Sequence, residues 1–199
     1  MTNPIRVLFI GDELVAGLGD ARALGWTGRV MARTANDPPI LAMTLAVPGE
    51  DSAHLATRWE EEVGRRIDPE TQCRLVVGLG SHDLDTGQTL ARARLHLANL
   101  LDSAERMHLK PFVVGPPPRR DFPEKIQADL TRAYRDVCER RNTVFVETFS
   151  PLVTHENWNT DLTLSGGYHP GQAGYGLIAW LVLHNGWNQW LGVKAAPAS

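Results

Sequence analysis

The chain has 199 residues, of which 43% are hydrophobic and 22% are charged, so we expect one soluble globular domain with a sizeable core. Its formal net charge is -3, and the sequence contains no basic stripe of the kind that binds nucleic acid. Composition therefore excludes a nucleic-acid-binding role and a disordered chain, and it leaves enzymes and small-molecule binding proteins open.

Short apolar runs alternate with longer amphipathic stretches, which is the pattern of an α/β protein. The strands are continuously apolar, as in parallel sheets covered on both faces. We therefore predict a flavodoxin-like three-layer α/β/α sandwich with a five-stranded parallel sheet. One domain should span residues 1–193, followed by a flexible tail at 194–199. In chain order, the predicted elements are strand Arg6–Ile10, helix Trp26–Thr34, strand Ile40–Ala46, a helix capped by Ser52 and ending near Arg65, strand Leu75–Val77, helix Thr89–Met107, strand Phe112–Val114, a helix from Pro123 to Arg140, strand Thr143–Glu147 and a last helix from Gly171 or Gln172 to Trp190.

Three features bear on location and partners. The first apolar run stops after Ile10, which argues against a signal peptide, and Leu177–Leu183 is too short to cross a bilayer. Two widely separated cysteines are typical of a reduced protein with buried structural thiols, so we predict a cytoplasmic location. The spacing of Trp180, Trp187 and Trp190 predicts a shared helix side used for core packing or for a homodimer contact.

Ionisable and glycine residues cluster where the predicted strands end. In parallel sheets, ligands bind outside the carboxyl ends of the strands, so these residues should meet at one edge. A loop before the last helix contributes a histidine to the same region. The candidate site residues are Asp12, Glu13, Gly49, His82, Asp83 and His169.

Four of these segments together resemble a known family. Gly11-Asp12-x-Leu14 is similar to the first sequence block of the SGNH (GDSL-type) hydrolases, and Gly49 to the second. Gly80-x-x-Asp83 is similar to the third block and His169-Pro170 to the fifth. The blocks occur in the family's order and cover nearly the whole chain. The resemblance implies the SGNH fold and activity on carboxylic esters of small or lipid-like acyl groups.

The resemblance also implies a set of catalytic roles, of which only part is filled here. In the family a serine attacks the acyl carbonyl, a histidine accepts its proton, and an aspartate three residues before orients that histidine. The serine N–H, a glycine N–H and an asparagine side chain hold the oxyanion. Gly49 and His169 fit their roles, but Glu13 replaces the serine, His82 the asparagine and Gly166 the aspartate. We therefore expect ordinary serine-esterase activity to be lost or altered.

Three interpretations of the altered site remain open, with Glu13, His169, His82 and Gly49 as the candidate catalytic residues. Glu13 can act as a general base on water, with His169 and His82 as acid or donor. Alternatively, Glu13 fills the site and pairs with His169, leaving a catalytically silent protein that binds a small ester or carboxylate ligand. Glu13, His82 and His169 can also form a metal site, but no ligand-spacing motif supports one. We therefore expect no metal and no cofactor.

Overall fold

The computed structural model describes residues 4–167 and 169–194. Within them, the strands are β1 Ile5–Gly11, β2 Ile40–Ala46, β3 Cys73–Gly78, β4 Lys110–Val114 and β5 Val144–Val146. The helices are α1 Glu13–Ala16, α2 Gly25–Ala32, α3 Ser52–Gly64, α4 His82–Asp85, α5 Leu90–Arg106, α6 Glu124–Glu139, α7 Phe149–Val153, α8 Glu156–Leu164, α9 Gln172–His184 and α10 Trp187–Leu191.

The five strands form one parallel sheet in the order β2-β1-β3-β4-β5. Successive side chains of β1 enter different cores, because strand side chains alternate between faces. Phe9 packs with Trp26 and Trp187 on one face, whereas Leu8 and Ile10 pack with the cluster on the other face. Helices thus cover both faces, which confirms the predicted three-layer α/β/α sandwich.

The C-terminal region differs from the prediction of one long helix. Helix α9 ends at His184, Gly186 adopts a left-handed conformation with φ of 88°, and α10 then starts at Trp187. The prediction that the three tryptophans share one side is therefore wrong. Trp187 and Trp190 are buried, but Trp180 is 57% exposed and stacks on His184.

Two smaller details concern caps and cysteines. Asp51, rather than Ser52, caps α3 by accepting a hydrogen bond from the backbone N–H of His54 at 2.8 Å. Cys73 and Cys138 are both buried free thiols, as predicted.

No helix in the described parts of the chain combines the length and apolar character needed to span a membrane. Most of the predicted tail, residues 195–199, lies outside the described residues.

The sheet register brings the ends of three strands to one level. Gly11 at the end of β1 pairs with Ala46 of β2 and with Gly78 of β3. The chain segments that follow these residues therefore emerge side by side. Two of them begin short helices, α1 and α4, whose first residues are Glu13 and His82. Helices of four residues are too short to show a periodic pattern in sequence, so neither was predicted.

Candidate functional site

Asp12 fixes the turn that presents Glu13. Its carboxylate Oδ1 accepts a hydrogen bond from the backbone N–H of Leu14 at 2.9 Å and so caps α1. Glu13 is the first residue of that helix and projects from the sheet edge beside β2 and β3.

The Glu13 carboxylate occupies the donors that the family resemblance assigns to the oxyanion. The backbone N–H of Gly49 donates to Oε2 at 2.7 Å, and His82 Nε2 lies 2.8 Å from Oε1. Glu13 was expected to pair with His169 if it fills the site, but its imidazole partner is His82. His82 was the residue at the asparagine position, and it is close enough to act as a donor.

These contacts make Glu13 and His82 an ion pair. Burial alone would raise the pKa of Glu13, but hydrogen bonds from His82 and from the backbone N–H groups of Gly49 and Glu13 lower it to about 2. The hydrogen bond to Glu13, together with its charge, raises the pKa of His82 to about 9 against the opposing effect of burial. Glu13 is therefore a poor general base at neutral pH.

A series of charged contacts fixes the other ring nitrogen of His82. Its Nδ1 lies 2.8 Å from Asp85 Oδ2, and Arg119 Nη2 donates to Asp85 Oδ1 at 2.9 Å. With carboxylates at both ring nitrogens, the imidazole donates twice, as an imidazolium does. Arg119 lines the site. Sequence reasoning missed Asp85, because the four-residue helix that brings it beside His82 shows no periodic pattern in sequence.

Asp12 also has an unsatisfied atom at the site. The residue is only 2% exposed, and its Oδ2 has no hydrogen-bond partner among the described residues. This oxygen lies 3.8 Å from His82 Nε2. Burial and the neighbouring charge of Glu13 raise the pKa of Asp12 to about 7. The ligand atoms of Asp12, Glu13 and His82 all lie within 4.8 Å of one another, so this trio, without His169, forms the potential metal cluster.

His169 lies in the same cavity, and its Nδ1 faces a backbone carbonyl. Its Nδ1 lies 3.2 Å from the carbonyl oxygen of Pro170, which can accept a hydrogen bond but cannot donate one. Nδ1 therefore carries the proton in the neutral ring. The imidazole packs tightly against Gly19, where a Cβ would lie 1.9 Å from Nδ1. Sequence analysis did not assign Gly19 to the site.

No carboxylate among the described residues replaces the aspartate that would orient His169. Gly166 stands at that position, with a left-handed φ of 73°. Asp161, the nearest acidic residue before it, accepts the backbone N–H groups of Gly171 and Gly174 through Oδ2. Asp161 therefore stabilises the start of α9 instead of the imidazole.

Two predicted site residues, Asp83 and Gly49, do not line the cavity; Gly49 still contacts Glu13, but Asp83 has other partners. Asp83 is 2% exposed, accepts the backbone N–H of Ser52 at 2.7 Å and accepts a hydrogen bond from the hydroxyl of Tyr134. It therefore connects α3, α4 and α6 beneath the site and has a structural role.

The site opens into a cavity of about 420 Å³. Its floor carries Asp12, Glu13 and His82, and His169 and Arg119 stand on its walls. The rest of the lining is mainly apolar and consists of Leu14, Leu18, Pro117, Pro118, Trp158, Leu162 and Pro170, with Ser81 and Gly167. Mostly apolar walls with a few converging polar groups are typical of small-molecule sites.

Comparison with known proteins agrees with the fold and with the order of the sequence blocks. The structure is similar to that of TesA, with a TM-score of 0.76 and 20% identity over 91% of this chain and 97% of that one. It is also similar to the esterase EstA from Pseudoalteromonas sp., with a TM-score of 0.73 and 18% identity over 94% and 98% of the two chains. A lipase/acylhydrolase from Enterococcus faecalis gives a TM-score of 0.75 and 18% identity over 97% and 99%.

The sequence comparisons identify the family of the chain. No curated protein sequence matches the chain. The profile of the GDSL-like lipase/acylhydrolase family matches residues 9–177, which include all four sequence blocks. The chain therefore belongs to the GDSL-like lipase/acylhydrolase family.

Proposed function

We propose that this protein binds a small ester-like ligand without serine-esterase turnover. The observation that carries the proposal is the position of the Glu13 carboxylate, which accepts the Gly49 N–H and pairs with His82. A substrate carbonyl would need these same donors to stabilise its oxyanion. Glu13 thus removes the nucleophilic hydroxyl and also blocks the group that would stabilise the transition state.

The charge at the cavity floor favours a neutral ligand. The Glu13 carboxylate already neutralises His82, and Arg119 is held by the carboxylates of Asp85 and Asp121. A ligand carboxylate would meet Glu13, and Arg119, the one Lys or Arg among the described lining residues, is already paired. An uncharged ester or amide can instead pack its apolar part against Trp158 and accept or donate hydrogen bonds at the rim.

A hydrolase of altered mechanism is the second candidate, and the tautomer of His169 favours it. With Nδ1 protonated toward the Pro170 carbonyl, Nε2 is left as an acceptor in the cavity wall. An imidazole in that state can accept a proton from water. Catalysis by this route would use His169 as the base and would leave Glu13 in place.

Hydrolysis of p-nitrophenyl acetate and butyrate separates the two candidates. The wild type should show no turnover above the buffer rate and no serine labelled by a fluorophosphonate probe. Glu13→Ser vacates the carboxylate's position and restores the hydroxyl, so this variant should gain turnover and become labelled at residue 13. The Glu13→Ser/His169→Ala variant should lose that gain. Wild-type turnover that disappears in His169→Ala would overturn the proposal in favour of the second candidate.

The cytoplasmic location and the homodimer remain proposals for this chain. Two buried free thiols agree with a reducing compartment. The exposed indole of Trp180 is the apolar group on α9 that a second copy would cover. Size-exclusion chromatography with light scattering, on the wild type and Trp180→Glu, tests the dimer: both proteins eluting as monomers would exclude it.

A further inference from the structure

We infer that Asp12, Glu13 and His82 form a binding site for one divalent transition-metal ion, with Zn²⁺ as the best match. Their ligand atoms lie within 4.8 Å of one another at the cavity floor. The three residues provide two carboxylates and one imidazole. Imidazole favours zinc and its neighbours over Mg²⁺ and Ca²⁺, and two carboxylates balance the charge of a divalent ion.

The unsatisfied oxygen of Asp12 is the independent observation that points to a ligand. Asp12 is 2% exposed, and its Oδ2 has no hydrogen-bond partner among the described residues. Unpaired buried carboxylate oxygens are costly, so such an atom calls for an explanation. The atom lies 3.8 Å from His82 Nε2, which places it beside the other two ligands.

Each ligand has one atom fixed by a hydrogen bond from outside the trio and another atom that faces the trio. Asp12 Oδ1 accepts the backbone N–H of Leu14, which leaves Oδ2 for the ion. Glu13 Oε2 accepts the N–H of Gly49, and Oε1 faces His82 Nε2 at 2.8 Å, where the ion would replace the shared proton. Partners that fix the orientation of ligands in this way are a regular feature of metal sites.

The histidine follows the same pattern. His82 Nδ1 is paired with Asp85 Oδ2 at 2.8 Å, which leaves Nε2 directed at the carboxylates. A carboxylate behind a ligating histidine is common in zinc sites, where it fixes the tautomer and makes the imidazole a better ligand. Asp85 is in turn held by Arg119.

Two of the three separations fit a single ion, and the third, between Asp12 and Glu13, is within 4.8 Å. Two atoms that bind one zinc ion at about 2.1 Å each can lie up to about 4.2 Å apart. The separations from His82 Nε2, 2.8 Å to Glu13 Oε1 and 3.8 Å to Asp12 Oδ2, both satisfy this limit. The ion would take the place of the proton between Glu13 and His82. Three protein ligands would leave a coordination position facing the cavity.

Zinc binding by isothermal titration calorimetry tests the inference. Wild-type protein, stripped with chelator, should bind one Zn²⁺ per chain and should bind Mg²⁺ much more weakly. Asp12→Asn retains the acceptor for Leu14 but weakens the ligand, and His82→Gln removes the imidazole; each should weaken binding at least about tenfold. His54→Ala is the control, since His54 is an exposed histidine that pairs with Asp51 outside the trio, and this variant should bind zinc as the wild type does.

A second measurement needs no variant. In ¹⁵N spectra of the histidine rings, Zn²⁺ should shift Nε2 of His82 and leave His169 unchanged. Any of three results would overturn the inference. The wild type does not bind Zn²⁺ stoichiometrically, Asp12→Asn and His82→Gln bind it as tightly as the wild type does, or Zn²⁺ shifts only other histidines. Because these titrations contain no ester, their failure would leave the proposed function intact.

Discussion

Glu13 Oε1 and His82 Nε2 lie 2.8 Å apart, so the residue at the nucleophile position is bound to the residue at the asparagine position. In the family mechanism these two positions act on opposite ends of a substrate carbonyl group. Here a partly buried ion pair joins them directly, and the Gly49 N–H donates to the other carboxylate oxygen. The residues that replace the serine and the asparagine therefore satisfy each other's hydrogen bonds without any substrate.

The ion pair predicts an unusual titration of His82. Its pKa is raised to about 9 because Glu13 accepts its hydrogen bond and carries the opposite charge. In chelator-treated protein, the His82 ring should therefore remain protonated at neutral pH when followed by NMR. Glu13→Gln keeps the shape of the side chain and removes the charge, so it should lower the pKa of His82. A wild-type His82 that titrates below pH of about 7 would contradict the ion pair.

The same pair predicts how stability depends on pH. The pKa of Glu13 falls from 4.5 to about 2 on folding, so its contribution is present above 4.5 and is lost as the pH falls toward 2. The pKa of His82 rises from 6.5 to about 9, so its contribution is full below 6.5 and is lost as the pH rises through 9. The difference in unfolding free energy between the wild type and Glu13→Gln, in favour of the wild type, should therefore be largest between about pH 4.5 and 6.5.

Urea denaturation of both proteins at several pH values measures this difference. We expect it to be about 1–3 kcal/mol within that window, the usual cost of leaving a buried polar partner unsatisfied. The difference should shrink toward pH of about 10, where His82 loses its proton. A difference that stays constant from mildly acidic to strongly alkaline pH would show that Glu13 stabilises the fold through packing alone.

Gly80 should be intolerant of any side chain. A Cβ at this position would lie 1.6 Å from Asp12 Oδ2, and that buried carboxylate is held by its bond to Leu14. Gly80→Ala should therefore lower the unfolding free energy by about 1–3 kcal/mol, as overpacking does. Gly64→Ala is the control, because no atom lies within 4 Å of its Cβ position at the end of α3. Equal thermal stability of the two variants would contradict the tight packing of Asp12.

The location of the site could be predicted from the sequence because parallel strands end together. The apolar runs of β1, β2 and β3, each followed by glycine and ionisable residues, were sufficient to bring Glu13, Gly49 and His82 to one edge. The direction of the Glu13 side chain could not be predicted. Two imidazoles were candidates for it, and the choice depends on the short helix α4, which presents His82.

The missed features share a similar cause. Arg119 follows a proline run, and its contact with Asp85 joins that loop to helix α4 across 34 residues of sequence, which no local pattern encodes. Trp180 was placed with Trp187 because continuous helical spacing was assumed, but the left-handed Gly186 separates α9 from α10. Asp12 Oδ2 has no hydrogen-bond partner among the described residues because several elements bury it together, so only the structure reveals this feature.

Acetate binding to Glu13→Ala tests most directly whether Glu13 fills the oxyanion hole. Removing the side chain frees the Gly49 N–H and His82, and a free carboxylate of matching size can then occupy the space. The backbone amide of Gly49 is followed by ¹H–¹⁵N NMR in chelator-treated protein as acetate is added. The account predicts a saturable shift of the Gly49 amide in Glu13→Ala and no shift in the wild type. The same shift in both proteins, or no shift in the variant, would contradict it.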